Sequence, residues 1–372
     1  MLDGSPGAVA RPVGIPSPWP SPAGRGDADR LHCFAPECYA AAAVITIATV
    51  SSQVLRGNRM GDPHERRVPI YLPPDYDTSG TRYPVVYFLA GFSGGGTFLL
   101  SESLWGETLA QRIDRLVRAR TIRPMIVVLA DCLTRLGGSQ YINSAATGRY
   151  EDHLVAELVP FVDATFRTIA ERERRAVMGK SSGGYGATVL AMRHPEVFAA
   201  AADHSGDKYF ELCYKADIPP AVAALARYDH SPARFLAGFP QPSLERGRHW
   251  FALVNMLAMA SCYSPNADSE VGFDLPFDPR TGELRDAVWV RWLAHDPITL
   301  AAAHAEALKR LQLYFLDCGR WDEHHLQLGN RIYCDRLTAL GVPHVYEEFE
   351  GGHMNVAHRY EVSLQRLSAL FA

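Results

Sequence analysis

The run Gly179-Lys180-Ser181-Ser182-Gly183-Gly184 fits G-x-S-x-G, placed between a short apolar strand and a helical stretch. A strand-to-helix turn that sharp admits only small neighbours, and it lifts the serine hydroxyl above the strand end. Ser181 has glycine at both i−2 and i+2, whereas the competing nucleophile Ser182 does not. The N–H of Ser182 would then face a forming oxyanion. A hydroxyl is a weak nucleophile until a base takes its proton. Gly351-Gly352-His353 offers that base after the last expected strand, with His344 and His358 as rivals nearby. An acid that orients the histidine is expected on the loop after QLYFLDCG. Asp317, Glu323 and Asp322 compete there, and Asp322 is favoured because G-x-x-D sets it clear of the strand. The turn after YPVVYFLA would give a second oxyanion donor, the N–H of Phe92 before that of Ser93. Each motif alone has a blander reading: a glycine-rich turn, or a solvated loop histidine. In the order Ser181, Asp322, His353 they reinforce one another. The run Asp322-Glu323-His324-His325 could suggest a metal site, but adjacent residues on a helix diverge, so His324 and His325 read as a solvated helix start. No metal site is expected.

These side chains need strand ends to carry them. Val44 to Leu55 and Arg67 to Leu72 read as strands. Tyr83 to Ala90 and Pro124 to Ala130 are short continuous apolar runs, the pattern of strands buried on both faces. Leu104 to Ala119 and Tyr150 to Phe166 have helical spacing, the latter with Glu, Asp and His on its polar side. Ala176 to Met178 is a strand core, followed by a helix over Gly186 to Arg193 and a strand over Phe198 to Ala202. Residues 207–300 break the alternation. They hold short helical candidates and a hairpin-like FDLPFDPRTGEL, and read as a lid inserted over the strand ends. Alternation resumes with a strand at Leu311, a helix from Leu326, a strand at His344 and a last helix from about Tyr360. Strands alternating with helices predict an α/β fold with a mostly parallel central sheet covered on both faces. The lid is rich in aromatic and apolar residues, including Trp250, Phe251 and Phe273. Trp250 and Phe273, with Phe98 from the turn after the first buried strand, are the candidate pocket residues.

The 372 residues, 47% hydrophobic, suffice for one large core. A net charge of -4 gives no bias toward nucleic acid or an anionic membrane. Seven cysteines, odd in number and irregular in spacing, show no disulfide framework or CxxC pair, and suit a reducing compartment. No apolar run reaches membrane-span length, so a soluble, cytoplasmic protein is expected. Residues 1–36 are rich in Pro and Gly and read as a disordered tail, with the folded domain over 37–372.

The stretches GDPHERRVPIYLPPDYD, RYPVVYFLAGFSG, MGKSSGGYGA, DCGRWDE and EGGHMN resemble, in order and spacing, an esterase family of α/β-hydrolases. It contains the esterase D and S-formylglutathione hydrolase enzymes, feruloyl esterases, enterochelin-esterase-like proteins and antigen 85 mycolyltransferases. The resemblance covers about residues 44 to 372. It implies the α/β-hydrolase fold, an acyl-serine intermediate on a carboxylic ester or thioester, no cofactor, and a small-molecule ester as partner. Ser181, Asp322 and His353 fall on its triad, and Phe92 and Ser182 on its oxyanion donors. Ala90 stands where many members have His, and Lys180 where a hydrophobic residue or His is usual. Acyl transfer with the same triad, and a silent binding protein on the same fold, are the alternatives. The fold class also allows a homodimer.

Overall fold

The computed structural model describes residues 44–102, 104, 106–239 and 247–371. The expected N-terminal tail, residues 1–36, and the first residues of the expected domain, 37–43, lie outside them. Eight strands form one sheet: β1 (Val44–Ser51), β2 (Glu65–Leu72), β3 (Val85–Leu89), β4 (Ile126–Ala130), β5 (Arg175–Lys180), β6 (Ala200–His204), β7 (Leu313–Gly319) and β8 (Val345–Phe349). Their spatial order is β1-β2-β4-β3-β5-β6-β7-β8. β2 pairs antiparallel with both neighbours, and every other pairing is parallel. This is the mostly parallel α/β-hydrolase sheet.

The central strands explain the uninterrupted apolar runs. All five residues of β3 and of β4 are buried. Successive side chains point to opposite faces. Val86 and Phe88 therefore meet Ile113 and Leu116 of helix α1 (Leu109–Arg118) and Leu364 and Leu367 of helix α5 (Arg359–Leu370). Val85, Tyr87 and Leu89 face the other side, into a core that includes Ala187 and Leu190 of helix α2 (Ser182–Arg193) and, under the neighbouring strands, Tyr333 and Leu337 of helix α4 (Leu326–Ala339). The expected helix over 150–166 is interrupted by a π segment, His153–Leu158. His153, expected on the polar side, is fully buried beside Leu154, with Nδ1 3.1 Å from Glu157 Oε2.

Between β6 and β7 runs a separate helical block. Its longest member is helix α3 (Arg248–Tyr263), buried continuously from Ala252 to Tyr263. Leu253, Leu257, Tyr214, Phe273, Phe277 and Trp292 form the core of this block, which reaches Tyr185 and Val189 of α2. The hairpin expected in FDLPFDPRTGEL is present as a Phe277–Leu284 bridge. Among the described residues, no helix is long and apolar enough to cross a membrane.

Candidate active site

The turn from β5 into α2 is forced by its glycines. A Cβ on Gly179 would lie 2.4 Å from the Gly183 backbone, and one on Gly183 would lie 2.1 Å from the Leu89 carbonyl oxygen. Neither strand nor helix can retreat, so only glycine fits. Ser181 takes φ 58° and ψ −125°, a conformation that costs about 1–3 kcal/mol and persists only where its surroundings impose it. The imposing bonds are Ser181 N–H to His204 O at 2.8 Å and Tyr185 N–H to Ser181 O at 2.9 Å.

The other two side chains come from the loops after β7 and β8. His353 Nε2 lies 3.0 Å from Ser181 Oγ, and His353 Nδ1 lies 2.8 Å from Asp322 Oδ2. Asp322 and His353 are nearly inaccessible to solvent. Burial works to raise the Asp322 carboxyl, but its bond to His353, the charge there and the His324 N–H outweigh it and hold the group below the usual carboxylate range. The rival acids are otherwise engaged. Asp317 faces His204 Nδ1 at 2.7 Å and accepts from Arg359 Nε at 2.8 Å. Glu323 accepts the backbone N–H of His353 at 2.7 Å and so fixes the loop that carries the imidazole. The rival histidines point elsewhere, His344 Nδ1 to Val342 O and His358 Nδ1 to Asn355 O.

A cavity of about 260 Å³ opens over Ser181. Phe92, Ser93 and Ser182 line it beside Ser181 and His353. The Ser93 N–H donates to Gly137 O at 2.6 Å, which removes it as an oxyanion donor and leaves that of Phe92. Ser182 opens α2, where no preceding turn offers its N–H a partner.

Of the three pocket candidates, the structure brings one to the cavity. Phe98 stands at its rim, 63% exposed. Trp250 is turned away, tilted against Phe239 and lining a different surface groove with Arg227 and Tyr228. Consecutive helical residues diverge by about 100°, and it is the neighbour Phe251 that faces the cavity. Phe273 is 1% exposed and belongs to the helical block's own core. Instead, the block supplies Asp207, Cys213, Tyr214, Phe251 and Asn255 to the lining. His324, read from sequence as solvated, also lines the cavity. It packs edge-on against His353 at 4.7 Å and beside Phe251 at 5.8 Å. Burial lowers its basicity, as does its electrostatic interaction with the neighbouring His353. Asp207 is held by Gln140 Nε2 at 3.0 Å and Tyr214 OH at 2.8 Å. Burial pushes the Asp207 carboxyl upward against those bonds. No local motif marks these residues in the sequence. Among the described residues no group of three His, Cys, Asp or Glu side chains could hold a metal ion.

A family model described as "Putative esterase" matches residues 58–367. The chain belongs to that family. An esterase of Mycobacterium tuberculosis is 38% identical over 142 residues, 37% of this chain and 28% of that protein. An endo-1,4-beta-xylanase/feruloyl esterase of Xylanibacter ruminicola is 31% identical over 144 residues, 38% of this chain and 19% of that protein. The chain thus matches under a third of the length of either relative. Among solved structures, a ferulic acid esterase superposes with a TM-score of 0.57 at 20% identity, covering 89% of this chain and 99% of that one. An S-formylglutathione hydrolase of Staphylococcus aureus superposes with 0.53 at 16% identity, covering 89% and 99%. At these identities the likeness establishes the α/β-hydrolase fold.

Proposed function

We propose that this member of the family is a serine carboxylesterase. The observation that carries the reading is the hydrogen-bonded chain Asp322–His353–Ser181 at the floor of an accessible cavity. Ser181 Oγ attacks the ester carbonyl while His353 Nε2 takes its proton. Asp322 keeps the Nδ1 proton in place and stabilises the imidazolium. The oxyanion forms between the N–H groups of Phe92 and Ser182. As it collapses, His353 returns the proton to the leaving oxygen or sulfur, which departs as an alcohol or thiol. Water, deprotonated by the same imidazole, then cleaves the acyl-serine.

The 207–300 block acts as a cap that sets specificity, through Tyr214, Phe251 and Asn255. Its apolar lining with few polar groups suits a small organic ester. The relatives' feruloyl and S-formylglutathione names supply the first substrates to try. Labelling with a fluorophosphonate probe, followed by peptide mass mapping, tests the core of the reading. The label is expected on Ser181 and absent from Ser181→Ala. An unlabelled wild-type protein, or a label on Ser182, would overturn the assignment.

A further inference from the structure

The chain holds 37 basic Lys and Arg residues, yet only Lys180, Lys208, Lys215 and Lys309 are lysines. Three of them are spoken for: Lys208 by Asp203, Lys215 by Glu211 and Lys309 by Glu306. The fourth immediately precedes the nucleophile. Lys180 is half-buried and lines the cavity. Its stem runs along Gly91, with Cδ 3.8 Å from where a Gly91 Cβ would stand. Its Nζ rests 3.8 Å from Met354 Sδ, an uncharged atom. Among the described residues no carboxylate lies within ion-pair distance of it. The nearest acids are committed: Asp322 to His353, Glu323 to the His353 N–H, and Asp207 to Gln140 and Tyr214. An ammonium held in a partly desolvated cavity without a counter-charge is costly unless a ligand supplies one.

Its position says which part of the ligand. His353 must protonate the leaving group, so that group departs on the imidazole's side of Ser181. Met354, against which Nζ lies, directly follows His353. Resting on the esterase reading above, we propose that Lys180 is a specificity-determining residue which binds an anionic group, a carboxylate, carried by the leaving alcohol or thiol of the substrate. The aromatic and apolar residues that share the cavity's lining, Phe88, Phe98, Leu99 and Tyr360, would cover the carbon skeleton between that carboxylate and the ester.

The test compares three acetyl or acyl esters on the full chain. 4-Acetoxybenzoate carries the anion on the leaving group, its methyl ester is the neutral counterpart, and phenyl hydrogen succinate carries the anion on the acyl side. Wild type is expected to prefer 4-acetoxybenzoate to the methyl ester by about tenfold in kcat/KM, the size of one charge-assisted hydrogen bond. Lys180→Met should abolish the preference, Lys180→Arg should keep it, and added salt should weaken it in the wild type. Competitive inhibition by 4-hydroxybenzoate against 4-hydroxybenzamide should show the same Lys180-dependent ratio, without reliance on turnover. A ratio unchanged in Lys180→Met, or a Lys180-dependent preference confined to the succinate, would overturn the proposal while the esterase reading stood. Wild-type protein that cleaves none of the three and takes no fluorophosphonate label would remove both.

Discussion

Replacing Asp322 by Asn separates orientation of the histidine from stability of the fold. The two carboxylate oxygens of Asp322 have different partners: Oδ2 receives His353 Nδ1, and Oδ1 receives the backbone N–H of His324 at 2.9 Å. That backbone donor cannot turn away. An asparagine must therefore give its carbonyl oxygen to His324 and present its amide NH₂ to His353 Nδ1. The imidazole then carries its proton on Nε2, facing Ser181, and cannot accept the serine proton. The expected loss is about 10⁴-fold in kcat, a barrier rise of about 5.5 kcal/mol. Asp317→Asn is the control. It removes a charge from between His204 and Arg359, and should cost about 3 kcal/mol of stability with kcat changed by less than about tenfold. Turnover of 4-nitrophenyl acetate and a denaturant midpoint for each variant decide the matter. An Asp322→Asn enzyme within tenfold of wild type, or an Asp317→Asn enzyme that stays stable but loses turnover, would refute the reasoning.

Gly183→Ala places a methyl against the Leu89 carbonyl, so it should either fail to accumulate as folded protein or lose fluorophosphonate labelling, measured on soluble fractions. Phe251→Ala opens the cavity wall between Phe92 and His324, and should shift the kcat/KM ratio of 4-nitrophenyl acetate to hexanoate by about tenfold. Trp250→Ala should leave that ratio within about twofold, since the side chain faces another groove; equal shifts would contradict the cavity lining. Burial lowers the pKa of His295 from 6.5 to about 4. The unfolded chain therefore takes up this proton first. Stability conferred by the neutral ring is complete above about pH 6.5 and is lost as pH falls toward 4, by about 3 kcal/mol. His295→Gln should flatten that part of the stability-against-pH curve, and an unchanged slope would count against it.

What could be read from the sequence divides along range of interaction. The strands β3, β4 and β5 were legible because burial on both faces leaves an uninterrupted apolar run. Ser181 stood out because its constraint is local: Gly179 and Gly183 are dictated by clashes within one turn. The choice between Asp322 and Asp317 is not local. Both lie within six residues of each other, and only tertiary partners, His204 and Arg359, show that Asp317 is committed elsewhere. Trp250 and Phe251 defeat sequence reading for another reason. Helix α3 is buried all round from Ala252 onward, and Trp250 and Phe251 lie together in its partly exposed first turn, so no polar stripe tells which of the two faces the cavity. His153 misleads because its polar ring sits at i+3 from Tyr150, on the buried face, where Glu157 Oε2 lies 3.1 Å from its Nδ1.

The helical block and the triad are less separable than an insertion suggests. Asp203, at the end of β6, accepts Thr188 Oγ1 of α2 at 2.6 Å and the Gly206 N–H at 2.8 Å. It also meets Lys208, the second residue of the block, with neither side chain exposed. Gly184, in the first turn of α2, must lack a Cβ because Asp203 Oδ1 would lie 2.4 Å from it. One buried carboxylate therefore fixes the start of the nucleophile's helix and the start of the block together. A buried ion pair adds little net stability, but its geometry permits few alternatives. The effect here is positional. Asp207, next to Lys208, is delivered to the cavity by the same anchor that holds the helix following Ser181. Farther along, Phe251 reaches back to Phe92 on one side and to His324, and through it His353, on the other. The wall that would select the acyl group is thus registered at both ends against the residues that would cleave it.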